Sequence, residues 1–125
     1  MRVFKLEDYS TKLKLFSSDM IDFSTDSTSV RFVYQSKSNF LLSALIGSRE
    51  NGMSFEQICQ NVHSNICSRS TIQKVLKTGE TLGVFNKKKN PNDRRIQQYV
   101  LSDEAGEFFK NWVNRQTQIF CTKND

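Results

Sequence analysis

The chain has 125 residues, of which 37% are hydrophobic and 25% charged, a composition typical of one folded domain and not of a disordered segment. No apolar run approaches the ~20 residues of a membrane-spanning helix. Arg2 and Lys5 interrupt the N-terminus too early for a signal peptide, so a cytoplasmic protein is expected.

The cysteines argue against a disulfide framework and against a metal site. Cys59, Cys67 and Cys121 are odd in number and widely spaced, which predicts free thiols in a reducing compartment. His63 stands four residues from both Cys59 and Cys67, but this is not a zinc spacing and no clear fourth ligand accompanies it. With one histidine and no phosphate-binding glycine loop, no catalytic constellation assembles. We therefore expect a binding protein without a metal or cofactor, and not an enzyme.

The N-terminal segment has apolar residues at alternating steps of three and four, which predicts a helix with one apolar stripe. The stripe could pack on the protein's own core or on a second copy of the chain. A strand pair, residues 20–23 with 30–34 across a polar turn, is the alternative. We expect residues 1–37 to be an N-terminal extension, whose helix is a candidate for dimerisation. The stripe consists of Leu6, Tyr9, Leu13, Phe16, Met20 and Phe23.

Two helices are expected next, at the start of a core that spans residues 38–102 of the same single domain. The first begins near Ser38 or Asn39 and ends at Asn51-Gly52, a glycine stop. The second begins at Ser54, because Gln57 stands at the capping-box spacing from it.

A third helix follows a polar turn over residues 63–67. Ser68 caps it, its inner face is apolar and Gly83 stops it. Val84-Phe85 and residues 97–101 are expected as two strands, with residues 86–96 as the hairpin tip. Ser102 then caps a C-terminal helix over residues 103–125. The expected fold is mainly α with a small β-hairpin wing: helix, turn, helix, then hairpin, a winged helix-turn-helix.

The excess positive charge is concentrated in residues 69–95, which carry eight basic and two acidic side chains, a net charge of +6. Such a concentration favours a polyanionic partner. Glutamine and lysine on the outer side of the third helix suit base edges, and a hairpin-tip arginine suits a minor groove. The candidate DNA-binding residues are Ser68, Arg69, Ser70, Thr71, Gln73, Lys74, Lys77, Lys87, Lys88, Lys89, Asp93, Arg94 and Arg95.

Four segments, residues 68–76, 82–85, 90–95 and 100–102, resemble the MarR family of bacterial transcriptional regulators. The most specific element is Asp-x-Arg in the wing with a proline two residues earlier. The resemblance implies that Arg95 enters the minor groove and that Asp93 orients it. It also implies a dimer. Gly79, where the family usually has leucine, departs from the pattern. Family residues that read bases match Ser70, Thr71, Gln73 and Lys74.

The sequence thus predicts a DNA-binding transcriptional regulator and leaves two alternatives open. One is a phage or plasmid nucleic-acid-binding protein used in replication or packaging. The other is a winged-helix protein-interaction module whose basic hairpin binds an acidic partner. The expected partners are double-stranded DNA and a second copy of the chain, and the sequence assigns no small-molecule effector.

Overall fold

The structure is a computed structural model, which describes residues 6–121 and, within them, the side chains from Tyr9 to Cys121. The described part contains six helices and a three-stranded antiparallel sheet with strand order β1-β3-β2. In chain order the elements are α1 (Leu6–Ser24), α2 (Thr28–Tyr34), α3 (Lys37–Gly47), β1 (Met53–Ser54), α4 (Phe55–Asn61), α5 (Arg69–Thr81), β2 (Phe85–Lys89), β3 (Gln97–Leu101) and α6 (Asp103–Phe120).

The N-terminal segment is helical, so the alternative of a strand pair over residues 20–23 and 30–34 is wrong. Ser27 caps α2 by accepting a hydrogen bond from the backbone N–H of Val30 at 3.4 Å. As a helix, this segment buries Val30 and Val33, which are one turn apart, on the face that packs into the core. Of the predicted N-terminal region, residues 1–5 lie outside the described residues.

Helix α3 begins and ends earlier than predicted. Its cap is Ser36, whose Oγ accepts from the backbone N–H of Asn39 at 3.1 Å. Asn39 cannot cap the helix because its side-chain amide is buried and donates to the Phe32 carbonyl at 2.8 Å. The helix stops at Gly47, and Gly52 lies in the following turn with φ at +72°. The helix begins near the predicted residues, but Ser38 and Asn39 as caps and Asn51-Gly52 as the glycine stop are wrong.

The sheet has one more strand than predicted, and β2 is longer than predicted. Strand β1 has only two residues, too few for a periodic signal, and it pairs with β3 through Met53–Tyr99 and Ser54–Gln98. Strand β2 runs on to Lys89, so the three lysines assigned to the hairpin tip lie in an exposed edge strand. Lysines are tolerated there because they keep an open strand edge from pairing with other chains.

The core lies between the helix-turn-helix, the sheet and the terminal helices. Ile72, Val75 and Leu76 face inward from α5, as predicted, and pack with buried side chains of the sheet. The predicted caps Ser54, Ser68 and Ser102 are confirmed, and Ser54 forms the full capping box with Gln57. The order and pairing of these elements make the fold a winged helix-turn-helix.

Helices α1 and α6 pack against each other. Arg115 on α6 forms a two-pronged ion pair with Asp19, whose carboxylate is buried on α1. The Phe16 and Phe120 rings meet at 5.7 Å between centroids. Across residues 6–121, every helix is too short or too polar to span a bilayer.

Candidate nucleic-acid interface

The N-terminus of α5 carries a cluster of exposed hydroxyl groups. The Ser68 Oγ accepts the backbone N–H of Thr71 at 3.2 Å and donates to the Thr71 hydroxyl at 3.0 Å. Its distance to the Ser70 hydroxyl is 3.2 Å. Helix N-termini of this kind offer free N–H groups and hydroxyls to phosphate oxygens.

The outer face of α5 and the wing flank one open groove. Gln73, Lys74 and Lys77 are exposed on the helix, opposite the buried side chains that anchor it to the core. On the wing side the groove is bounded by Lys87 and Tyr99. The structure therefore brings the polar face of the predicted recognition helix and part of the basic hairpin to a common surface. The residues that line the groove are Phe55, Ser70, Gln73, Lys74, Leu76, Lys77, Glu80, Lys87 and Tyr99.

Arg69 makes contacts that the sequence did not reveal. Its guanidinium donates to both carboxylate oxygens of Glu56, at 3.3 Å through Nη1 and 2.7 Å through Nη2. It also lies 4.9 Å from the centre of the Phe55 ring. The hydrogen bonds from Arg69 lower the pKa of Glu56, which keeps the pair ionised. Arg69 thus ties α5 to α4, a contact across 13 positions for which no local motif exists.

The wing lysines differ in their surroundings. Lys87 lies 3.6 Å from a carboxylate oxygen of Glu80 and 5.7 Å from the centre of the Tyr99 ring. Lys88 points to the other side and donates to the side-chain oxygen of Asn51 at 3.4 Å. All three wing lysines are exposed, and Lys88 alternates with its neighbours because side chains of a strand project to opposite faces.

The wing tip holds an arginine in one orientation. Asn90 shapes the turn, because its side-chain oxygen accepts the backbone N–H groups of Asn92 at 2.7 Å and Asp93 at 3.1 Å. Arg95 donates to the two oxygens of Asp93 through Nε and Nη2, at 3.1 Å each. Its side chain is nevertheless 90% exposed, and Arg94 is exposed beside it.

The Asp93–Arg95 pair stays ionised at neutral pH. The side-chain hydrogen bond from Arg95, with one from the Arg95 backbone N–H at 3.1 Å, lowers the pKa of the Asp93 carboxyl. The aspartate therefore remains a hydrogen-bond acceptor well into the acid range. This arrangement presents a pre-oriented guanidinium at the end of the hairpin.

Cys59, His63 and Cys67 lie in or beside the segment between α4 and α5, whereas Cys121 directly follows α6. All three cysteines are free: Cys59 is half-buried, Cys67 buried and Cys121 exposed. Burial raises the pKa of the Cys59 thiol, which disfavours its reactive thiolate. Among the described side chains, from Tyr9 to Cys121, no three His, Cys, Asp or Glu residues gather as metal ligands.

Comparisons with known proteins give one structural match of low similarity. No protein-family model matches the chain, and no curated protein matches it either. Among solved structures, a mutant of Lactococcus lactis ZitR aligns at 13% identity over 90% of this chain and 78% of that chain, with a TM-score of 0.48. At that similarity the alignment carries no inference, and the fold is assigned from the protein's own elements.

Proposed function

We propose that the protein is a DNA-binding transcriptional regulator of the MarR-like winged-helix type. The observation that supports this best is the groove between α5 and the wing, which is bounded by Lys74, Lys77 and Lys87. These residues belong to the segment that holds the chain's excess positive charge. A polyanion with a regular groove is the partner that such a surface fits.

In this proposal α5 enters the major groove and the wing tip follows the adjacent minor groove. Gln73 and Lys74 read base edges, since an amide pairs with adenine and an ammonium with guanine. Ser68, Ser70 and Thr71 hold phosphates at the helix start. The exposed guanidinium of Arg95 reads the width of the minor groove, with Arg94 on a neighbouring phosphate.

Selection of bound DNA from a random pool tests the proposal. A regulator should enrich one sequence and prefer it by roughly 10³-fold or more over random DNA. Gln73→Ala should then lose the preference at one position and keep its non-specific affinity. Binding without enrichment would instead support a replication or packaging protein. No DNA binding at moderate salt, with a co-purified acidic protein, would support the protein-interaction module.

The wing lysines should act on all DNA sequences alike. We expect replacement of Lys89 by alanine to weaken specific and random DNA equally and to reduce the slope of log affinity against log salt by about one unit. Lys89 suits this test because it is exposed, and so is Gln97, the residue opposite it in β3. Lys110→Ala on α6, outside this surface, is the control and should leave the slope unchanged. A sequence-dependent loss at Lys89 would contradict the assignment.

A phosphate contact of Arg69 competes with its ion pair to Glu56, because that pair occupies a donor on each of its two Nη atoms. We therefore expect Glu56→Gln to tighten DNA binding and to raise the salt slope by about one unit, because it weakens the hold on the guanidinium. The same change in an Arg69→Ala background should have little effect on the slope. If Glu56→Gln acts equally in both backgrounds, Arg69 is a strut between α4 and α5 and not a DNA contact.

We also propose a homodimer that uses the terminal helices. Tyr9, Leu13 and Met20 lie along one face of α1 and are 57%, 48% and 40% exposed. Phe16 lies on the same face, and its ring contacts the ring of the exposed Phe120. Exposed apolar surface of this kind usually marks an interface. A two-fold dimer would place two recognition helices about 34 Å apart, one turn of DNA.

Sedimentation at micromolar concentration tests the dimer with two matched variants. Leu13→Glu should give a monomer, whereas Leu15→Glu should stay dimeric. Both leucines are about half exposed on α1, at 48% and 49%. They lie on opposite faces of the helix, because two residues along a helix correspond to a rotation of about 200°. A wild-type monomer, or equal effects of the two variants, would contradict the proposed interface.

A further inference from the structure

Gln98 is a buried polar side chain in the wing strand β3. It is 5% exposed, and its amide nitrogen donates to the backbone carbonyl of Asn51 at 3.0 Å and to that of Gly52 at 3.4 Å. A buried amide costs free energy unless it is hydrogen-bonded, so these contacts hold the side chain in one place. They join the wing to the turn between α3 and β1.

The same junction reaches the helix-turn-helix. Gln98 pairs through its backbone with Ser54 in β1, and the Ser54 side chain caps α4. Gln57 closes the capping box by accepting the Ser54 backbone N–H at 2.9 Å. A shift of β3 would therefore disturb the start of α4, against which α5 packs.

The turn and the strand are also in close contact. A Cβ atom on Gly52 would lie 1.9 Å from the carbonyl oxygen of Tyr99, so only glycine permits this approach. Strand β2 is held to the same turn, since Lys88 donates to the Asn51 side chain at 3.4 Å. Both strands of the hairpin are thus linked to residues 51–52.

We propose that Gln98 is a positioning residue of the DNA-binding surface, whose buried amide sets where Arg95 lies relative to the recognition helix. Gln98 is three residues from Arg95 along the chain, and the wing tip closes over the junction: Asn90, Asn92 and Gln98 line one cleft with the turn. The inference rests on the proposed function, because the wing is positioned for DNA. Gln98 itself touches no DNA.

Gln98→Met, which keeps the shape and removes the donor, tests the coupling to Arg95. Gln98→Met should weaken binding to the selected DNA severalfold and Arg95→Ala about tenfold or more, and the double variant should be no weaker than Arg95→Ala alone. Such non-additivity is expected when one residue acts through another. Additive losses would overturn the inference, while the selected sequence and thus the proposed function would stand.

Gln98→Glu gives a second test within one molecule. Its carboxylate would face two carbonyl oxygens, which disfavours the charged form, and only the protonated acid can donate to them. As the pH is lowered from about 8 to about 5, DNA binding of Gln98→Glu relative to wild type should recover, whereas that of Gln98→Met should not. Recovery of neither variant, or of both alike, would overturn the inference.

Trypsin supplies a readout that needs no DNA. The wing carries the exposed cleavage sites Arg94 and Arg95, so the rate of cleavage there reports how firmly the wing is held. Gln98→Met should be cut in the wing severalfold faster than wild type, with an unchanged rate at Lys110 on α6. Equal wing cleavage would overturn the inference. If wild type binds no DNA and the wing still loosens, the proposed function fails and the positioning of the wing by Gln98 stands without a DNA role.

Discussion

Gly52→Ala is expected to destabilise the protein far more than Gly83→Ala, although both glycines have positive φ angles, of 72° and 78°. At Gly83 nothing lies within 4 Å of the position of a new Cβ, so only the backbone strain remains, about 1–2 kcal/mol. At Gly52 the new Cβ would also lie 1.9 Å from the Tyr99 carbonyl oxygen and 2.7 Å from a Val100 methyl group. Strand β3 must then move away from the turn, and we expect a total cost above about 3 kcal/mol.

The free energy of unfolding in urea measures both variants, and their difference isolates the close approach of turn and strand. Gly106→Ala on α6 is a useful third variant. Its Cβ would meet nothing within 4 Å and the residue is helical, so it should stabilise the protein by about 0.5–1 kcal/mol. Equal losses for Gly52→Ala and Gly83→Ala would mean that the contact between Gly52 and Tyr99 is absent in solution.

Local chemistry made much of this fold predictable from the sequence. Ser54, Ser68 and Ser102 each stand one residue before a helix, and each cap needs only the backbone three residues on. The inner face of α5 follows directly from its apolar spacing, and its stop follows from Gly83, which has φ at +78°. Signals of this kind lie within one or two turns of chain and do not depend on the tertiary fold.

The parts that were missed depend on contacts between distant residues. Strand β1 forms because it pairs with β3, in which the partner of Met53 is Tyr99, 46 positions further along the chain. The candidate site also depends on contacts between distant residues. Arg69 donates to Glu56, and Gln98 donates to the backbone of residues 51–52. A sequence marks these side chains as polar or charged, but only the fold decides which partner each one has.

Gly79 shows how packing can explain a departure from a family pattern. The resembling family usually has leucine there, but in this chain a Cβ would lie 2.3 Å from the Phe85 ring, which is buried and fills that space. The large side chain is supplied by the strand and not by the helix. Glycine at position 79 therefore leaves the space that the Phe85 ring fills.

Asp93→Ala is expected to weaken DNA binding, although it removes a negative charge from a DNA-binding surface. In our proposal Asp93 holds the Arg95 guanidinium through two hydrogen bonds of 3.1 Å, and the freed arginine would lose orientational order before it meets the minor groove. Arg95→Ala should cost about tenfold or more in affinity, most where the flanking DNA is rich in A·T pairs. Asp93→Ala should show part of that loss, with the same dependence on the flanking sequence.

Glu80→Ala is the matched control, because Glu80 is the other acid within residues 69–95 and lies 3.6 Å from Lys87. Removing it changes the net charge by the same amount but releases a lysine, so it should leave binding unchanged or tighten it. Titration of all three variants against the selected DNA over a range of salt concentrations separates orientation from charge. If only net charge matters, Asp93→Ala and Glu80→Ala should both bind DNA more tightly than wild type. If Asp93→Ala binds more tightly at every salt concentration, Asp93 does not orient Arg95 for DNA, and the wing contacts DNA through its net charge alone.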